Sequence, residues 1–181
     1  YNTTRLGQYS SAIGYETEAS GNSSTAMGYQ TEASGGHSTA MGRGNVASGY
    51  VSTAIGRGTT ASGYYSTAMG RGTIASDVAS LVVGQYNYKG SWSVGLGATL
   101  FDLDNTAFVI GNGTDSENRS DALVVKFNGD TTLAGSMTAT SFIGDGSQLT
   151  NLPLLFSYNS NQAGGIAVSY THLTLPTIRE V

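Results

Sequence analysis

The chain repeats itself every fourteen residues. Ala-(Ile/Met)-Gly begins at Ala12, Ala26, Ala40, Ala54 and Ala68, and a sixth copy reads Val82-Val83-Gly84. A second triplet, Ala-Ser-Gly, begins at Ala19, Ala33, Ala47 and Ala61, and its fifth copy ends differently, as Ala75-Ser76-Asp77. The two series are offset by seven residues. Seven residues are too few for a helix and a turn, but they suit one short strand and a tight corner. Recurring glycines supply the corners, where φ is positive or two backbones come close. The spacing therefore predicts an all-β, parallel β-solenoid with two strands per fourteen-residue coil. Coils stack at roughly 4.8 Å, so six of them make a rod on the order of 30 Å long.

Alternation along a strand assigns the faces. In "STAMG", Thr39 and Met41 point one way, and Ser38 and Ala40 the other. The larger apolar residues are expected inside, as a core ladder of Ile13, Met27, Met41, Ile55, Met69 and Val83. The alanines then form a smooth outer face that lets another chain approach. One large apolar residue per strand is a thin core, and a solenoid has open ends that need covering. Self-association answers both needs.

Glycine (26 of 181 residues) and a charged fraction of 11% would suit a linker, were the glycines not periodic. The chain has no cysteine, which rules out disulfides and thiolate metal sites. No apolar run of about 18 residues is present to form a spanning helix. Tyr1 is not a Met and no signal-peptide pattern follows it, so the sequence is read as starting inside a longer protein. The net charge of −4 is uneven: residues 1–95 carry five basic and four acidic side chains, residues 96–167 two basic and seven acidic. Mild acidity gives no reason to expect nucleic-acid binding.

The repeats "SSAIG", "SSTAMG", "HSTAMG", "VSTAIG" and "YSTAMG", interleaved with "EASG", "VASG" and "TASG", resemble the head repeat of trimeric autotransporter adhesins, the YadA-like repeat, over about residues 5–95. The resemblance implies a left-handed parallel β-roll, a homotrimer, and exposure on the cell surface, with a host-cell or matrix receptor or surface glycan as partner. Any membrane attachment would run through a C-terminal anchor absent from this sequence. Residues 1–95 are then the head and residues 96–152 a β-rich connector to a stalk. Short strands are expected at Ala107–Ile110, Ala122–Phe127, Thr131–Leu133 and Thr138–Phe142, bounded by turn pairs such as Asn128-Gly129. Trp92, Tyr86 and Tyr88 are expected to cap the roll. "DALVVKFNGD" and "GDGSQLTNL" resemble the connector of bacterial and phage fibre proteins, which makes a virion tail fibre the alternative reading. Residues 153–181 are read as a truncated end. Within them "VSYTHLTLPT", Val168 to Thr177, matches the translation of a transposase sequencing adapter, so residues 168–181 are read as non-native.

Candidate sites are few. Arg43, Arg57 and Arg71 share one repeat position and would form a basic column, either a solvated face or a binding stripe for polyanions. Tyr50, Tyr64 and Tyr65 place aromatics at corners, where they serve adhesion or stacking. "GRGNVA", "GRGTTA" and "GRGTIA" fit a G-x-G-x-x-A phosphate loop, but three copies fourteen apart are solenoid corners. One Thr per strand (Thr25, Thr39, Thr53, Thr67) falls short of the paired ladders of an ice-binding solenoid; a monomeric ice- or ligand-binding β-solenoid is the third function class considered. Asp102, Asp104 and "NGTDSEN" hold oxygen ligands without calcium-loop spacing. His37 occupies a position that varies between coils. No catalytic, metal or cofactor site is expected, and the protein is not read as an enzyme.

Overall fold

The computed structural model describes residues 6–88, 98–141 and 143. Two compact units divide the chain, Tyr1–Met137 and Thr138–Val181. In the first, six long strands recur at the repeat interval: β1 (Ser11–Tyr15), β2 (Thr25–Tyr29), β4 (Thr39–Arg43), β6 (Thr53–Arg57), β8 (Thr67–Arg71) and β10 (Leu81–Gln85). Two-residue strands alternate with them: β3 (Glu32–Ala33), β5 (Val46–Ala47), β7 (Thr60–Ala61) and β9 (Ile74–Ala75). Long strands pair in parallel, Ala26 beside Ala40 beside Ala54. Short strands do the same in a separate sheet, Ala47 beside Ala61 beside Ala75. The fourteen-residue β-solenoid expected from the repeat is the observed fold, and no helix occurs among the described residues.

The faces are the reverse of the expectation. Ala26, Ala40, Ala54 and Ala68 are fully buried, as are Ala19, Ala33, Ala47, Ala61 and Ala75 from the opposite side of each coil. Ile13, Met27, Met41 and Met69 lie on the outer face, 36–57% exposed, and Ile55 and Val83 are half-buried. Two strands joined by corners of a few residues run too close together to enclose a long side chain. Alanine methyls fill the gap, with Ser24, Ser38, Ser52 and Ser66 and the column Thr17, Thr31, Asn45, Thr59, Thr73, Asn87 completing the interior. The signal was in the repeat itself. The buried position is Ala in five consecutive copies, whereas the next position alternates between Ile and Met.

The coils approach so closely that glycine is dictated where they touch. A Cβ on Gly56 would lie 2.0 Å from the carbonyl oxygen of Gly70 in the next coil, and Gly56 has φ of 129°. The Ala-Ser-Gly series behaves alike: a Cβ on Gly49 would meet the Gly63 carbonyl oxygen at 2.1 Å.

The two sheets end at different places. The long-strand sheet continues through β11 (Thr106–Asn112), parallel to β10, with Val82 beside Val109 and Gly84 beside Gly111. It then closes with antiparallel β12 (Asp121–Lys126) and β13 (Thr131–Leu133). Strands β11 to β13 coincide closely with three of the four short strands expected after the repeat. The fourth does not form: residues 138–141 are not strand, and Phe142 lies outside the described residues. Among the described residues the short-strand sheet stops at β9. There Asn87 imitates a further strand, its Oδ1 accepting from Ile74 N at 2.8 Å and its Nδ2 donating to Ile74 O at 2.9 Å. Arg119 Nη1 donates to Gly72 O at 2.8 Å and Asn87 O at 3.1 Å. Asp77 stands at the position held by Gly21, Gly35, Gly49 and Gly63, and its Oδ2 accepts from Thr106 N at 2.9 Å and from the Thr106 hydroxyl. Among the described residues no regular coil lies above Asp77, which leaves space for its side chain. Tyr86 covers Gly72, while Tyr88 is largely exposed and Trp92 lies outside the described residues.

Candidate functional site

Each long strand ends in two corners, and both gather side chains that the sequence reading singled out. The corner after the strand carries one column, Tyr15, Tyr29, Arg43, Arg57, Arg71 and Gln85, brought into line by pairing in register. The three arginines are adjacent and exposed. The Arg43 guanidinium sits 5.4 Å from the Tyr29 ring centroid, and that of Arg71 sits 5.3 Å from the Tyr86 ring, which Arg119 meets at 5.7 Å. Such cation–π contacts hold the head of a long side chain in place. Among the described residues none of the three arginines has an ion-pair partner; the exposed pair Lys126–Asp104 lies elsewhere. Each arginine is bracketed by glycines, Gly42/Gly44, Gly56/Gly58 and Gly70/Gly72. A Cβ on Gly44 or Gly58 would meet nothing within 4 Å, so open space flanks the column. These are the glycines of the three phosphate-loop look-alikes, and they form solenoid corners with no helix behind them.

The corner before the strand carries the aromatics. Tyr50 meets His37 edge-on at 5.5 Å, Tyr64 at 5.9 Å and Tyr65 edge-on at 6.0 Å; Tyr64 and Tyr65 meet at 6.5 Å. His37, Val51 and Tyr65 occupy a left-handed backbone position with φ of 55–60°, shared by Ser23 and Ala79. The strain is offset by a bond from each amide to the coil below, as from Val51 N to Gly36 O at 2.8 Å. The tyrosines thus come together, and the arginines come together, but not with each other. A five-residue strand separates the two corners by about 13 Å.

Between the corners, the outer face of the long-strand sheet presents two parallel ladders. One is Thr25, Thr39, Thr53 and Thr67; the other is Ile13, Met27, Met41, Ile55, Met69 and Val83, extended by Ile110. Sequence reasoning missed Ile110 as part of this ladder, because Val109-Ile110-Gly111 follows Val82-Val83-Gly84 by 27 residues rather than fourteen.

Residues 6–31, 33–59, 47–73 and 61–87 match the YadA head domain repeat, a two-copy unit. The match runs through residues 6–87, a little under half of the chain, and supports the resemblance to the YadA-like head repeat. The YadA head is a feature of trimeric autotransporter adhesins, surface-exposed structural proteins that form homotrimers and bind host receptors. No curated protein matches the chain.

The oxygen-rich loops near the YadA-like segment's far end satisfy themselves. Asp115 Oδ1 accepts from the backbone amides of Glu117 and Asn118 at 2.9 Å each, and from the Asn118 side chain. The Asn118 side-chain bond, followed by the backbone amides, holds the Asp115 carboxyl below its ordinary range. Asp104 and Asp130 both accept from Asn128 Nδ2 at 3.0 Å. Among the described residues no group of three or more His, Cys, Asp or Glu is placed to hold a metal ion.

Proposed function

We propose that residues 1–95 are the head of a homotrimeric surface adhesin and residues 96–152 its connector, with no enzymatic role. The outer apolar ladder is the observation that carries this reading. An outward-facing stripe of Ile and Met over five coils, continued by Val83 in the sixth, is unusual for a monomer, and the alanine-filled interior has no room to take it in. Three copies packed along this face would bury it, and attachment would then rest on weak contacts multiplied by three chains. The YadA match supports the trimer and the role in adhesion. Solution mass tests it: the chain should run at three times its own mass, and the double variant Met41→Ser with Ile55→Ser should run as a folded monomer. A wild-type chain that stays monomeric at high concentration would sink the trimer. Attachment of the chain to cultured cells, measured beside that variant, tests adhesion.

A second reading, a tail-fibre receptor-binding protein, draws on "DALVVKFNGD", which forms β12 and the turn into β13. It shares the trimer and differs in the anchor. Sequencing on through the locus separates the two, by a C-terminal membrane barrel or a C-terminal chaperone among tail genes.

A further inference from the structure

We infer that the Arg43–Arg57–Arg71 column is a binding site for a linear sulfated polysaccharide. The inference rests on the reading of the rod as a surface adhesin, because such a polymer is met outside the cell. Four observations converge on it. The protein is acidic overall, yet between Ala33 and Ser76 its only charged side chains are these three arginines. They are direct neighbours across three parallel strands, so like charges stand roughly 4.8 Å apart at the backbone, an arrangement that costs stability unless something neutralises it. Among the described residues no acid is ion-paired with them: the acids of the first coils lie below the column, and Glu16 there is taken up by Gln30 at 2.6 Å. The end guanidiniums are steadied on Tyr29 and Tyr86, and the space beside Gly44 and Gly58 is open.

A ligand that fits must be anionic, extended and periodic, with a charge for each coil. Guanidinium forks favour oxyanions that accept two parallel hydrogen bonds, as sulfate esters do. A column along the rod axis aligns the polymer with the rod. Arg57, between two steadied neighbours and with no side-chain partner among the described residues, is the residue that such a chain must cross.

The experiment titrates the 181-residue chain with heparin, desulfated heparin and a single-stranded oligonucleotide, at several salt concentrations. Heparin should bind, with affinity that falls steeply as salt rises. The triple variant Arg43→Gln, Arg57→Gln, Arg71→Gln should weaken binding about tenfold or more and flatten the salt dependence, as expected when paired cations are removed. Its mass and unfolding midpoint should match or exceed those of the wild type, because repulsion is relieved. Equal binding of heparin and the oligonucleotide would overturn the sulfated-sugar assignment. Unchanged heparin binding by the variant would overturn the site. A variant that loses its assembly or melts earlier would show that the arginines pair with acids of a neighbouring copy, and would overturn the proposal too. Cell attachment that persists on cells stripped of sulfated glycans would remove this ligand and leave the adhesin reading standing. Heparin binding without any cell attachment would do the opposite.

Discussion

The middle coils and the C-terminal end of the roll use the same long strand but close it differently. In the middle, each coil is held mainly by backbone bonds to coils above and below, and its interior is methyl groups, small hydroxyls and one amide, Asn45, which donates to Gly56 O at 2.8 Å and accepts from Thr59 N at 2.9 Å. Several of those hydroxyls, on Thr17, Thr31, Ser38, Ser52, Thr59 and Thr73, make no hydrogen bond among the described residues. At the end, the short-strand sheet runs out of partners, and side chains take over the bonds: Asn87 for β9, Arg119 for the Gly72 carbonyl, Asp77 for Thr106. Repetition builds length but leaves an edge, and an edge invites further strands. Here it is closed by Asn87 and Asp77, which depart from the residue usual at their repeat positions, and by Arg119 from beyond the repeat.

Substitutions at equivalent positions should sharpen that contrast. The largest effect is expected at Gly56→Ala, which forces a methyl into the Gly70 carbonyl in a backbone conformation that alanine disfavours. It should lower stability by more than about 3 kcal/mol in urea unfolding. A loss below 1 kcal/mol would mean that the coils are not in the close contact described. Next comes Asp77→Gly. It restores the repeat's own residue and should nonetheless cost about 1–3 kcal/mol, because the Thr106 amide loses its acceptor. If stability rises instead, the end behaves as one more coil and the contrast fails. Thr59→Val should work the other way. It removes an unpaired hydroxyl at nearly constant shape and should stabilise by about 1 kcal/mol, whereas Asn87→Val in the same column should destabilise.

The smallest effect concerns pH. Burial pushes the Asp121 carboxyl up, opposed in part by the bond it accepts from Tyr88 N at 3.0 Å. A folded-state value above the unfolded one means that the charged carboxylate disfavours the fold. Stability from this group should therefore fall slightly as pH rises through the carboxylate range, and Asp121→Asn should remove that slope from unfolding measured between pH 3 and pH 6 (about the range in which carboxylates titrate).

How much of this was legible beforehand follows the same division. The fourteen-residue period fixed the coils, the strand positions and the corners, because backbone pairing in a solenoid depends on spacing alone. Sidedness was not legible from hydrophobicity. The rule that large apolar residues go inside assumes an interior wide enough to hold them, and this one admits only alanine. The unvarying Ala beside an Ile/Met position was the better guide. The seventh long strand was obscured by thirteen extra residues between Gly84 and Gly111. The cap was hidden for another reason: Asp77 meets Thr106 from 29 positions away and Asn87 meets Ile74 from 13, distances with no periodic signature. Of the candidate sites, alignment in columns was legible, and the steadying of Arg43 and Arg71 on Tyr29 and Tyr86 was not.

The contact between Gly56 and the Gly70 carbonyl also gives the rod a direction of inheritance. Each glycine of the two triplet series is required by the coil that follows it, not by the one before. When a lineage gains a coil by duplication, the former last coil must already carry glycine where the newcomer will sit. The coil at the end is released from that requirement. Drift should therefore begin at the growing end, and Asp77, in place of a fifth glycine, has the character of such a release.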